Sequence, residues 1–160
     1  MKKLLAKGDK KLIHAWAFYD WANSVYPLVI SSAIFPIYYG ALTVQKNDAG
    51  QVINDSVEFL GFCLNNDALI SYVTALAFVF ISIMSPILGG IADYIGNKKS
   101  FMRFFNYLGA SACIGLFWFD LDQLWFGLLC YFFGLIGFWG SIVFYNSYLP
   151  DVAYAIQQDK

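Results

Sequence analysis

Residues 89–99 read GGIADYIGNKK and join two long apolar segments of the chain. The segment before them, Ala68 to Ala92, has no charged residue, and the segment after them, Phe101 to Phe119, has only Arg103. A bilayer core is about 30 Å thick, so a helix of about 20 apolar residues crosses it. The stretch therefore predicts a short, charged reversal between two membrane-spanning helices.

Two more apolar segments flank this pair. Leu12 to Leu42 carries a single acid, Asp20, and Gln123 to Pro150 carries no charge. Hydrophobic residues make up 59% of the 160 residues and charged residues 13%, a composition that so small a soluble domain could not bury. Barrel strands alternate over roughly 10 residues, unlike these continuous segments. We predict an all-α membrane protein with four transmembrane helices.

The connecting segments predict the topology. Nine of the ten basic residues fall on one side if the chain crosses four times, and the positive-inside rule makes that side cytoplasmic. Both termini are then cytoplasmic, and 55–64 is a candidate for a short interfacial helix. The predicted order is a basic cytoplasmic N-terminus (1–11), TM helix 1 (12–42), an extracytoplasmic loop (43–67), TM helix 2 (68–92), a cytoplasmic motif loop (93–100), TM helix 3 (101–119), a short outer loop (120–122), TM helix 4 (123–150) and a cytoplasmic tail (151–160).

Asp20 is the first candidate site residue, since an ionisable group within a span is costly unless it is paired or wetted. Asn23, Ser24, Pro27 and Ser31 follow it at three- and four-residue steps and so share one helical face with it. The pattern suggests the lining of a wet cavity. The alternative is that Asp20 lies near the interface and contacts headgroups or a lysine. Transport with unchanged pH dependence in Asp20→Asn would remove it from proton coupling.

The fourth span offers partners for this face. Phe144-Tyr145-Asn146-Ser147 echoes Phe18-Tyr19-Asp20, and both lie towards the same predicted side. If the first and fourth helices occupy equivalent places, Tyr19, Asp20, Tyr145 and Asn146 would face one cavity. Coincidence in an aromatic-rich chain is the alternative.

The reversal at 89–99 is a candidate gate. Asp93 can pair with Lys98, Lys99 or Arg103, and such a latch could form in one conformation and break in another. An ordinary cytoplasmic turn is the alternative. The stretch resembles the loop motif between the second and third helices of the major facilitator superfamily. Gly89, Asp93, Gly96, Lys98 and Lys99 match that motif, whereas Tyr94 and Asn97 replace two of its basic residues.

Three further matches narrow the resemblance. Residues 17–24 (AFYDWANS), 34–36 (IFP) and 144–151 (FYNSYLPD) are similar to the first and fourth helices of the vacuole-effluxer-like branch, named after a fungal vacuolar exporter of amino acids. The resemblance implies a transporter of about twelve helices in two halves, with its site between them. We therefore expect an N-terminal part of such a protein, which lacks the later helix against which Asp93 would latch.

The sequence thus favours a secondary transporter of small solutes, with amino-acid efflux implied by the resemblance. Two alternatives remain: a self-assembling four-helix transporter of small-multidrug type, and a non-transporting membrane assembly or anchor subunit. Because no metal cluster, nucleophile motif or phosphate loop is present, we expect no enzyme activity, cofactor or metal. The expected partners are the lipid bilayer, a small solute and the missing C-terminal helices, with no nucleic acid. The expected location is a bacterial inner membrane or a eukaryotic vacuolar membrane or endomembrane.

Overall fold

The computed structural model describes residues 6–154, apart from the side chains of Ala92 and Ile95. Predictions that fall on Lys2, Lys3 and Lys160 lie outside this range. Helices dominate the fold and account for its long elements: α1 (Lys10–Asn23), a π-helical segment (Tyr26–Ile34), α2 (Phe35–Thr43), α3 (Asn66–Ile95), α4 (Lys98–Gly115), α5 (Leu124–Ser147) and the short α6 (Leu149–Val152).

The first helix changes its winding in the middle. Pro27 and Pro36 have no backbone N–H to donate, and between them the chain is π-helical. The Phe35 amide bonds to the Ile30 carbonyl, five residues back, and the Ser32 hydroxyl donates to the Pro27 carbonyl at 2.6 Å. π-helical turns are rare and are frequent at functional sites. The wider winding also changes which side chains share a face.

Within residues 6–154, three helical stretches are long and apolar enough to cross a membrane by length and composition: Lys10–Thr43, Asn66–Ile91 and Leu121–Val152. The helix α4 is shorter and carries three basic residues near its start, namely Lys98, Lys99 and Arg103. It nevertheless packs along α5 within the same bundle. Four long helices thus form an all-α membrane fold, as predicted, while the bilayer limits of each span stay predictions.

The centre of the bundle is α5, which contacts both α3 and α4. Gly109 of α4 lies directly against Gly137 of α5, so a Cβ on Gly137 would stand only 2.5 Å from the Gly109 Cα. Small residues permit such close approach of membrane helices. The outward faces carry large apolar side chains, such as Trp21, Ile37 and Phe117, at 69%, 72% and 83% exposure. A surface of this kind suits lipid rather than water.

The predicted interfacial helix at 55–64 is wrong. The connector forms two antiparallel hairpins, β1 (Gln45–Lys46) with β2 (Val52–Asn54), and β3 (Ser56–Phe59) with β4 (Phe62–Asn65). In β3, Val57 turns towards the helices while Ser56 and Glu58 are exposed. This alternation has the period of a strand, and Gly61 at positive φ supports the turn. The short segments Leu116–Trp118 and Leu121–Gln123 are 3₁₀-helical and link α4 to α5.

Candidate functional site

A cavity of about 480 Å³ opens between the first helix, α4 and α5. The π-helical segment contributes Tyr26 and Ile30, and α5 contributes Gly134, Gly137 and Phe138. The walls are mainly apolar with a few polar groups, which is the usual character of small-molecule sites. They comprise Tyr19, Ala22, Asn23, Val25, Tyr26, Ile30, Phe105, Asn106, Gly109, Ala110, Cys113, Gly134, Gly137 and Phe138.

Four side chains with a hydroxyl or amide group line this cavity, namely Tyr19, Asn23, Tyr26 and Asn106. The Tyr19 hydroxyl donates to the Asn106 Oδ1 at 2.7 Å, which ties the first helix to α4. Asn23 lies one helical turn further along and is half-buried. An amide offers donors and acceptors together, so Asn23 and Asn106 can each bond to a polar solute.

An aromatic stack supports Tyr19 from behind. Its ring lies 5.0 Å from that of Tyr145, and Tyr145 in turn stacks on Trp16 at 4.4 Å. The Tyr145 hydroxyl donates to the Trp16 carbonyl at 3.2 Å, and the Trp16 Nε1 donates to the Tyr145 carbonyl at 3.3 Å. The start of the first helix is therefore fixed to the end of α5 by reciprocal hydrogen bonds as well as by packing.

A second polar group lies deeper in the bundle. The buried Tyr131 hydroxyl is 3.4 Å from the Ser31 Oγ and 3.4 Å from the Thr74 Oγ1. Its ring stacks on Phe35 at 4.0 Å. These contacts join the first helix, α3 and α5, which shows how hydroxyl groups connect helices where water is absent.

The predicted site residues divide into two groups. Tyr19 and Tyr145 come together, and Asn23 lines the cavity. Asp20 and Asn146 are exposed and do not belong to the cavity wall, although the Asp20 carboxylate lies within electrostatic range of the Tyr145 hydroxyl. The sequence reasoning missed Asn106, whose signal was an amide in the middle of an otherwise apolar span.

The 89–99 reversal is tighter than the predicted loop at 93–100. The helix α3 continues to Ile95 and α4 begins at Lys98, which leaves two residues between them. Gly96 adopts φ +69°, a conformation that favours glycine. A Cβ added to Gly89 would meet no other atom within 4 Å. The Lys99 side chain is exposed.

Lys98 forms the centre of an ionic clamp. Its ammonium lies 3.1 Å from Asp93 at the end of α3 and 3.6 Å from Asp151 in α6, and it donates to the Ser147 carbonyl at 3.2 Å. The pKa of the Lys98 ammonium is raised above its usual value, chiefly by the hydrogen bond to Asp93 and further by the charge of Asp151. The clamp therefore joins the ends of four helices, α3, α4, α5 and α6.

Lys98→Met is expected to lower the free energy of unfolding by about 1 kcal/mol or less, because both carboxylates are largely exposed. A raised lysine pKa contributes stability that is complete below the ordinary lysine pKa and is lost as pH rises through the raised value. The difference in free energy of unfolding between the wild type and Lys98→Met should therefore persist at neutral pH and shrink at high salt. Unfolding in detergent measures it, with Lys99→Met as the matched control. An equal loss in both variants would contradict the clamp.

Among residues 6–154, no cluster of three or more His, Cys, Asp or Glu side chains could hold a metal ion. The geometry instead combines a helical membrane bundle, an open and mainly apolar cavity with a few polar groups, and an ionic clamp where four helices meet. These features define a polytopic membrane protein with an open cavity between its helices.

Comparisons with known proteins identify the family. The profile described as "Vacuole effluxer Atg22 like" matches residues 8–159, and the chain belongs to this family. It is also 34% identical over 148 residues to an "Uncharacterized MFS-type transporter YxiO" of Bacillus subtilis (strain 168). That match covers 92% of this chain and 32% of the relative, so the chain spans about a third of the relative's length. No solved structure shows a significant match.

Proposed function

We propose that the chain forms one wall of the solute pathway in a secondary transporter. The main support is the cavity of about 480 Å³, whose apolar surface is interrupted by Tyr19, Asn23 and Asn106. Membership of a family related to effluxers makes a small solute the expected occupant, and the resemblance to a fungal vacuolar exporter of amino acids makes an amino acid the solute class that we propose. Further helices of the same transporter would close the open side.

The side chains take different roles in this proposal. Asn23 and Asn106 bond to the solute, and the Tyr145 stack holds Tyr19 in place. Asp20 acts as a proton-linked acid beside the cavity, and the exposed Asn146 borders the solute path. Both termini are placed in the cytoplasm, on the basic side.

The clamp around Lys98 is proposed as the gate. Its three contacts join α4 to the end of α3, the end of α5 and α6. They are individually weak because they lie at the surface, so a conformational change could break them at small cost. Gly89, Gly96 and Lys99 belong to the same motif, and Gly96, at positive φ, allows the tight reversal that brings Asp93 to Lys98.

Asn23→Leu is expected to reduce solute flux strongly, because it removes a polar group from the cavity wall and adds bulk. The assay measures the flux of labelled amino acids into proteoliposomes under a pH gradient. The proteoliposomes contain the complete gene product that carries this sequence. Ala17→Leu is the control, since Ala17 is exposed on the same helix and lies outside the cavity wall. Equal flux in wild type and Asn23→Leu would refute the cavity assignment, and no flux in wild type would refute transport of these solutes.

A further inference from the structure

The hairpin β3–β4 is held firmly against the helices. Val57 is only 7% exposed and belongs to the apolar core. The Asn66 amide bonds to the Asp55 carbonyl at 2.8 Å, and the Asn65 side chain donates to the Asp55 carboxylate at 2.7 Å. The hairpin therefore has one fixed position relative to the start of α3.

The tip of this hairpin presents apolar side chains outwards. Leu60 and Phe62 are 82% and 70% exposed. Leu60 adopts φ +52°, where Gly or Asn would be the ordinary choice. A large apolar residue in this position is unfavourable both for the backbone and for contact with water. Local folding requirements alone do not account for it.

The tip also borders the outer face of α3. Leu60 and Phe62 line a groove of about 290 Å³ together with Tyr72, Val73 and Leu76. Tyr72 and Leu76 are themselves 63% and 60% exposed on a helix long and apolar enough to span a membrane. The apolar surface of the tip is therefore continuous with the exposed apolar face of α3.

The depth of the tip follows from helix geometry. The uncharged part of α3 ends just before Asp93, and about 20 residues cross the hydrocarbon core. Counting back from Asp93 places the opposite boundary near Val73, next to Tyr72, a residue type enriched at such boundaries. Leu76 then lies about 6 Å deeper than Tyr72, at 1.5 Å per residue. Because the tip lies beside both residues, it reaches the boundary between headgroups and acyl chains.

We propose that the tip, residues 59–62, is a lipid anchor that inserts Leu60 and Phe62 into the membrane leaflet at the start of α3. The strand edges of the hairpin stay at headgroup level, where water satisfies their polar groups, since unpaired backbone is not tolerated in hydrocarbon. The anchor fixes the depth of α3 in the bilayer. It is independent of the transport proposal and is tested without a flux assay.

The test uses a bimane fluorophore on single cysteines of the full chain in phosphatidylcholine vesicles at low protein density. One sample carries Leu60→Cys with Cys63→Ser, and the matched sample keeps the native Cys63; both contain Cys113→Ala and Cys130→Ala. Cys63 is exposed and pairs with Glu58 on the other face of the hairpin. Brominated acyl chains report contact with lipid, and iodide reports contact with water.

The fluorophore at position 60 is expected to be quenched more by brominated lipid than by iodide. The fluorophore at position 63 is expected to show the reverse order. A fluorophore at Phe62→Cys should lose its lipid quenching when Leu60→Asn is added, since Asn keeps the left-handed backbone but is polar. Stronger iodide quenching at position 60 would overturn the proposal in favour of a hydrated tip. Protection from both quenchers would overturn it in favour of a protein surface covering the tip.

Discussion

Gly137→Ala is expected to lower the free energy of unfolding by about 1–3 kcal/mol, the usual cost of overpacking a close contact. The new Cβ would lie 2.5 Å from the Gly109 Cα and amide nitrogen and 2.8 Å from the Phe105 carbonyl oxygen. These are backbone atoms of α4, so they cannot rotate away as a side chain would. The two helices must separate, and every contact along their crossing weakens.

Two alanine substitutions serve as controls. Gly109→Ala should be tolerated, because its Cβ would meet the Gly137 backbone at 3.6 Å, an ordinary van der Waals distance. Gly90→Ala should also be neutral or slightly stabilising, since nothing lies within 4 Å and alanine favours helix. Unfolding in mixed detergent, followed by circular dichroism, measures all three. The close contact would be disproved if Gly137→Ala proved as harmless as Gly90→Ala.

This crossing shows how far a sequence can specify helix packing. The glycines of the fourth span recur at three-residue steps at Gly134, Gly137 and Gly140, which predicts a close approach by another helix. The identity of that helix could not be predicted, because Gly109 is an isolated glycine whose importance depends on the register between α4 and α5. Local pattern indicates which face is in contact but does not give the contact partner.

The candidate site was predictable to a similar extent. The echo between the first and fourth helices points to Tyr19 and Tyr145, whose rings stack, although of these two only Tyr19 lines the cavity. The polar stripe assumed 3.6 residues per turn throughout, and the π-helical segment alters the faces beyond Tyr26. Ser31 consequently meets Tyr131, away from the cavity that Asn23 lines. The interfacial helix failed because the alternation around Val57 was overlooked.

Tyr145→Ala is expected to cost about 3–5 kcal/mol, as for other large buried aromatic residues. Tyr145 is 4% exposed and stacks on both Trp16 and Tyr19. Its removal would empty the space between the first helix and α5 and would leave the Trp16 carbonyl without the Tyr145 hydroxyl. Tyr145→Phe keeps the ring and loses only that hydrogen bond, so its cost should be about 1 kcal/mol.

The same detergent unfolding experiment measures these variants, with Tyr107→Ala as the control because Tyr107 is 73% exposed on α4. A double-mutant cycle of Tyr145→Ala with Trp16→Ala isolates the interaction energy between these two residues. It should lie within about 0.5–3 kcal/mol for residues in direct contact. A coupling near zero would mean that the stack does not hold the first helix to α5. Tyr19 would then lose its support, and the cavity wall that it forms with Asn106 would no longer be preorganised for a solute.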